Sequence, residues 1–263
     1  MTIVITEAVA KRCLEVVDQG LVSGMGVPEP GKLCVEAAIC YALGLPHGDD
    51  PACVSRALRQ LKIKLNDSAW SSNAARAKGL RRLAVAQLGS RENFDEKEFA
   101  RRVAELAIRK SVPSALRAAA SIHKDPKHVQ ALRDAAAKCE AEGTEASARE
   151  AKTAAYAANA AAAAYAANAA AADAYAANAY AANAADAAYA AYAAAADAAD
   201  AAYAAYAANA AANAAAAAAA DAADAADARD KSLSDFAEGV VQILIAMNAP
   251  GCQWLALTEL EAA

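Results

Sequence analysis

Residues 173–203 read DAYAANAYAANAADAAYAAYAAAADAADAAY, and the same four letters run almost unbroken from Thr153 to Asp227. No Gly or Pro interrupts the tract. Ala has the highest intrinsic helix propensity, so the tract reads as helix. Stepping about 100° per residue from Asn183 tests its faces. Tyr165, Asn168, Tyr175, Asn178, Asp186, Tyr189, Tyr192, Asp197, Asp200 and Tyr203 gather on about half the circumference, and only Asp173 and Tyr180 stray. The pattern approximates an eleven-residue repeat, as in Tyr175/Asp186/Asp197 and Asn178/Tyr189/Asp200, which suits a nearly straight helix. The opposite half is nearly pure Ala and reads as a packing face. From Tyr206 through Asn209 and Asn213 the polar face moves, which predicts a break, bend or change of partner near 204–214. One unbroken helix over the tract would be about 110 Å long. Two or three antiparallel helices suit a compact protein better.

The rest of the chain is ordered around this tract. Apolar residues at helical spacing, caps and Gly/Pro punctuation predict helices over about 7–18, 32–43, 51–65, 72–88, 95–110, 113–123 and 126–142. Asp50 before Pro51 reads as an N-cap, and Asp95 with Glu98 as a capping box. After the tract, Ser234 reads as the cap of a helix over about 235–247, and Cys252, Trp254, Leu255 and Leu257 as an anchor docked on the N-terminal part. No alternating strand-length run appears after Ile5. The expected fold is therefore all-α: an N-terminal helical domain (1–143), Ala/Tyr/Asn/Asp repeat helices or hairpins (144–230) and a C-terminal helix with its anchor (231–263).

Charge divides along the same line. Residues 1–152 carry 24 basic and 19 acidic side chains, a net of +5, and residues 153–263 carry 2 and 12, a net of −10. Such halves attract each other, or make a weakly basic domain beside an acidic rod. The six Cys form no CxxC pair, no secretory signal opens the chain, and the tract's Asp and Asn argue against lipid. A reduced cytoplasmic setting without a membrane span is expected, with no cofactor and no metal site.

Two clusters hold reactive side chains. Cys34, Glu36, Cys40, His47, Asp49, Asp50 and Cys53 surround the Gly44–Pro51 turn. Cys34, Glu36 and His47 are the candidate catalytic set, as nucleophile and base, although their spacing matches no known motif. The plainer reading is buried thiols, a loop His and capping Asp. Lys62, Lys64, Asn66, Asp67, Trp70, Ser71 and Ser72 form the second cluster. Asp49, Asp50, Asn66, Asp67 and Trp70 are the candidate ligand-binding residues, with a Trp-anchored helix corner as the alternative. Basic pairs such as Arg81-Arg82 and Arg101-Arg102 are diluted by acidic neighbours, so nucleic acid is an unlikely partner. Tyr175, Asn178, Asp186, Tyr189, Tyr192, Asp197, Asp200 and Tyr203 make the candidate repeat face.

The block Pro30–Pro51 (PGKLCVEAAICYALGLPHGDDP), Leu65–Ser72 (LNDSAWSS), the Ala/Tyr/Asn/Asp repeats and Pro250–Trp254 (PGCQW) resemble uncharacterised Ala-rich proteins of bacteriophages, prophages and related bacterial elements. The repeats are also similar, more loosely, to bacterial immunity proteins. The resemblance implies no activity and no catalytic residues. It implies a phage-encoded factor acting on a bacterial host or its defences. The expected function is a non-enzymatic binding or scaffold protein that sequesters or blocks a protein or small signal molecule, with self-association through the Ala faces open to it. The alternatives are an enzyme built on Cys34, Glu36 and His47, and an ice-binding protein. Ala-rich helices of eleven-residue period resemble helical antifreeze proteins, but those carry regular Thr and this tract does not.

Overall fold

A computed structural model describes residues 3–92, 94–168, 182–190, 202–217 and 222–259. Their regular secondary structure is helical, and the only β-type contacts among them are isolated bridges from Leu33 to Leu21 and Gly26.

The N-terminal helices are α1 (Glu7–Val17), α2 (Val35–Ala42), α3 (Arg56–Asn66), α4 (Asn73–Ala86), α5 (Glu96–Leu106), α6 (Val112–Ile122) and α7 (Pro126–Glu142). Side-chain caps start most of them. The Thr6, Ser55, Ser72, Asp95 and Asp125 oxygens accept backbone N–H groups of the first turns of α1, α3, α4, α5 and α7. Gly143 ends α7 in the left-handed conformation, φ 63°.

Four expectations need correcting. α2 starts at Val35 because Leu33 is drawn into its bridges. α3 starts at Arg56, capped by Ser55, since Pro51–Val54 close a turn instead. The fifth and sixth helices are one continuous run. A wider π turn over Ala107–Ser111 joins them, with Val112 N–H bonding back to the Ala107 carbonyl. That turn relieves Pro113, whose ring would clash with the fourth carbonyl before it in a regular helix. Glu98 does not complete a capping box, because its carboxylate is taken by Arg101 and Arg102.

The repeat tract contributes α8 (Glu145–Asn168), α9 (182–190), α10 (Ala202–Ala217) and the first turns of α11 (Ala222–Ala246). α8 packs on α7 through Ala148, Ala151, Ala155, Ala158 and Ala162, all buried at alternating steps of three and four. α10 packs on α3, α6 and α11, and α11 on α4 and α5. Since α10 and α11 lie side by side, the tract is not one continuous rod, and the hairpin expectation holds there. The backbone does not break at 204–214, where α10 is regular. α11 runs through Ser234, which is mid-helix and caps nothing. A 3-10 helix (Pro250–Thr258) then docks on α4 and α1.

One hydrophobic cluster runs through all of this. It joins Leu58, Leu61, Leu83, Phe99 and Leu116 of the N-terminal helices to Ala204, Ala208 and Ala212 of α10, and to Leu233, Phe236, Val240 and Leu244 of α11. Segments 1–143, 144–230 and 231–263 therefore share a core. Among the described residues no helix is long and apolar enough to cross a membrane.

Candidate functional site

The side chains proposed around the Gly44–Pro51 turn are separated by the fold. Cys34 caps α2, its Sγ accepting the Ala37 amide at 3.4 Å. Glu36 is fully buried beside fully buried Lys62, with Oε1 and Nζ 3.5 Å apart. Both Glu36 oxygens and the Lys62 nitrogen lack a hydrogen-bond partner. Burial pushes the Glu36 carboxyl up to about 7 and pulls the Lys62 ammonium down, their mutual attraction opposing both shifts. His47 is exposed, with Nε2 3.2 Å from the Gly26 carbonyl oxygen. Burial raises the thiols of Cys34, Cys40 and Cys53, with Cys40 reaching about 12, which suppresses the thiolate. The cavity that Cys34 lines takes in neither Glu36 nor His47.

The proposed binding residues mostly stitch loops to α3. Asn66 donates Nδ2 to the Val22 carbonyl and accepts the Val35 amide on Oδ1. Asp67 Oδ1 accepts from Gly24 N–H at 2.7 Å and from Ser23 Oγ. Arg59 reaches back to Asp49 and Asp50, tying their turn to α3. Trp70 is buried, its ring against Gly79 and its Nε1 donating to the Leu65 carbonyl at 2.9 Å, so it anchors a helix corner. Asp49, Asn66, Asp67 and Cys34 do converge on one cavity, but it measures about 50 Å³. That holds a few water molecules, not a metabolite. The basic pairs are spent on ion pairs: Arg81 with Asp18, Arg82 with Glu238, and Arg101 and Arg102 with Glu98.

A larger concavity lies where the repeat face meets α3. It measures about 820 Å³ and is lined by Gln60, Ile63 and Lys64 of α3, by Asn183, Asp186 and Tyr189 of α9, and by Tyr206, Asn209 and Asn213 of α10. The local sequence explains why these side chains reach it. In α9 the buried residues are Ala184, Ala185, Ala187, Ala188 and Ala190, leaving Asn183, Asp186 and Tyr189 on the other face. In α10, Tyr206, Asn209 and Asn213 recur at steps of three and four, between buried Ala204, Ala205, Ala207, Ala208, Ala211 and Ala212.

The two Tyr are about half exposed, Tyr189 at 48% and Tyr206 at 46%, and each carries a lysine on its ring. Lys152 Nζ sits 4.5 Å from the Tyr189 centroid and Lys64 Nζ 5.1 Å from that of Tyr206. Asn183, Asp186 and Asn213 make no hydrogen bond or ion pair among the described residues. Asn209 Oδ1 accepts the Ala69 amide N–H at 3.4 Å. The arrangement offers amide donors and acceptors, two phenol rings and one carboxylate in a space of ligand size.

Of the candidate repeat face, Asp186 and Tyr189 line this groove and Tyr203 lies in α10. Tyr175, Asn178, Tyr192, Asp197 and Asp200 lie outside the described residues. Of the α3 wall, Lys64 stood in the second sequence cluster, whereas Gln60 and Ile63 were missed. Gln60 and Lys64 stand one turn apart, which marks one helix face, but nothing local says that the tract lies across from it. No family model, no curated protein and no solved structure matches this chain at a significant level.

Proposed function

We propose that this chain is a non-enzymatic helical binding protein that holds a partner in the α3/α9/α10 groove and acts by sequestering or blocking it. The observation that carries the reading is the groove itself: about 820 Å³, lined by Asn183, Asp186 and Asn213, whose polar groups are without partners among the described residues. Polar side chains that have no structural task, gathered in one concavity, are what recognition requires. The resemblance of the Pro30–Pro51 block and the repeats to phage and prophage proteins supports a bacterial host as the setting.

An enzyme on Cys34, Glu36 and His47 has less support, since burial suppresses the thiolate and the cavity that Cys34 lines takes in neither Glu36 nor His47. For ice binding, Asp186, Tyr189 and Tyr206 line a concavity and not a flat face. The test is affinity capture from a bacterial lysate with three full-length baits: wild type, Asn183→Ala/Asp186→Ala/Asn213→Ala, and Arg117→Ala, at a residue that pairs with Glu140 and does not line the groove. A species held by wild type and Arg117→Ala but recovered at least tenfold less with the triple variant is expected. Equal recovery by all three baits would remove the groove from the function.

A further inference from the structure

The end of α6, the α6–α7 turn and the middle of α8 meet on one imidazole. His123 follows the last residue of α6, and both of its ring nitrogens are engaged. The Asp125 backbone N–H donates to Nδ1 at 3.1 Å. A backbone N–H cannot accept, so Nδ1 carries no proton. Nε2 lies 3.2 Å from the Ala158 carbonyl oxygen. A carbonyl cannot donate, so Nε2 carries the hydrogen. The two contacts together fix His123 as the neutral Nε2–H tautomer. Both partners belong to the packing of the corner. Asp125 is the N-cap of α7, its Oδ1 accepting the Lys127 amide at 2.9 Å, and Ala158 is fully buried in α8.

A second proton can enter the ring only at Nδ1, where it meets the Asp125 N–H head-on. The surrounding charges add to that conflict. The His128 ring lies 5.2 Å from the His123 ring, so two imidazolium groups would repel, and Lys124 and Lys127 place two more cations in the turn. The one acid there is Asp125, whose Oδ1 is taken by the α7 cap and whose Oδ2 faces His128 Nε2 at 3.8 Å. On α6 the nearest charge along the chain, Arg117, is paired with Glu140. On α8 the turns either side of Ala158 carry no charged side chain, and their polar residues are Tyr156 and Asn159. We infer that His123 is an acid-released latch: a second proton on its ring opens the α6–α7 turn and frees the stretch of α8 around Ala158. Imidazole changes charge between about pH 5 and pH 8, so the latch is closed above that range and lost as pH falls through it. The opening is local, because Lys138 on Glu150 and Cys139 on the Ser147 carbonyl hold the start of α8.

Nuclear magnetic resonance of the full-length chain tests this in two readings. Long-range proton–nitrogen spectra of the imidazoles give the tautomer of His123 at about pH 8, where the Nε2–H form is expected. Amide exchange, corrected for the pH dependence of intrinsic exchange, is then followed from about pH 8 to pH 5. Exchange should rise at least tenfold over 124–129 and 155–162 as His123 takes its second proton, with 145–150 unchanged. Titration of Glu36 acts on the whole fold and with the opposite sign, since it adds stability as pH falls, so it does not mimic this response. In His123→Gln, whose side-chain amide still donates to a carbonyl and does not titrate, the rise should be absent, and in His128→Gln it should persist. Circular dichroism checks that both variants are folded, and the tautomer reading on wild type stands without them. An Nδ1–H tautomer, a His123 ring that charges with no change in exchange at the corner, or an undiminished rise in His123→Gln would each overturn the inference.

Discussion

Glu36 and Lys62 are the most costly residues in the protein to bury. Neither exposes any surface, and three of their polar atoms lack a hydrogen bond. Replacing Lys62 alone leaves a carboxyl group buried with no counter-charge. Lys62→Ala should lower unfolding stability by about 3–5 kcal/mol, whereas Glu36→Leu/Lys62→Met should be neutral or stabilising by about 1–4 kcal/mol, both read from urea midpoints. The pair also sets a pH dependence. Between 4.5 and about 7 the folded Glu36 holds a proton that the unfolded chain has lost, so stability falls as pH rises through that window. For Lys62 the sign is opposite at higher pH. Below 10.5 the unfolded chain holds the proton more tightly, so stability recovers as pH climbs toward that value. Glu98 and Glu140, held low by Arg101, Arg102 and Arg117, act only below about 4.5. The urea midpoint should therefore drop between pH 5 and pH 7.5 in wild type, and that drop should be absent in Glu36→Gln. An unchanged wild-type midpoint would contradict the assignment. One charged residue in an otherwise apolar helix was visible in the sequence, and its partner was not, because Lys62 lies on another helix.

At the scale of elements, alanine decides the packing. The two-faced character of α9 was legible because Ala leaves every polar residue conspicuous, and the Ala faces are indeed the buried ones. Where each helix begins was legible only when a side chain closes it, as at Thr6, Ser72, Asp95 and Asp125. Pro113 and Ser234 misled for opposite reasons. A π turn let the helix pass through Pro113, and the strong propensity of the preceding tract carried α11 past Ser234. The 3-10 anchor depends on one glycine. A Cβ on Gly251 would run into the carbonyl oxygens of Val85 and Ala86. Backbone cannot yield as a side chain can, so Gly251→Ala should cost about 1–3 kcal/mol or lift the anchor. A thermal melt followed by tryptophan fluorescence in a Trp70→Phe background, where Trp254 is the reporter, reads either result. An unchanged melt would show that the anchor does not sit this close to α4.

At the scale of the molecule, three segments that differ in composition make one core. α10 fills the space beside α3 and α6, and α11 covers α4 and α5. Polar ties cross the same boundary, from Asp230 to Ser71, Glu238 to Arg82 and Glu150 to Lys138. The chain should unfold in a single transition with coincident ellipticity and fluorescence, and residues 1–143 alone should bind a hydrophobic dye and melt without cooperativity. Two separated transitions would show that the tract folds apart. The all-helical class was readable from the alanines. That α10 lies beside α3 and α11 was not, because no Gly or Pro divides the tract, and so the α3 side of the groove stayed hidden.

Amide hydrogen exchange of the full-length chain, with and without the captured partner, tests the groove most directly. Slowed exchange on binding is expected over 60–64, 183–190 and 206–213, with the α1 and α7 segments unchanged. Protection confined to 20–51, or to the outer faces of α5 and α7, would contradict the groove as the binding site.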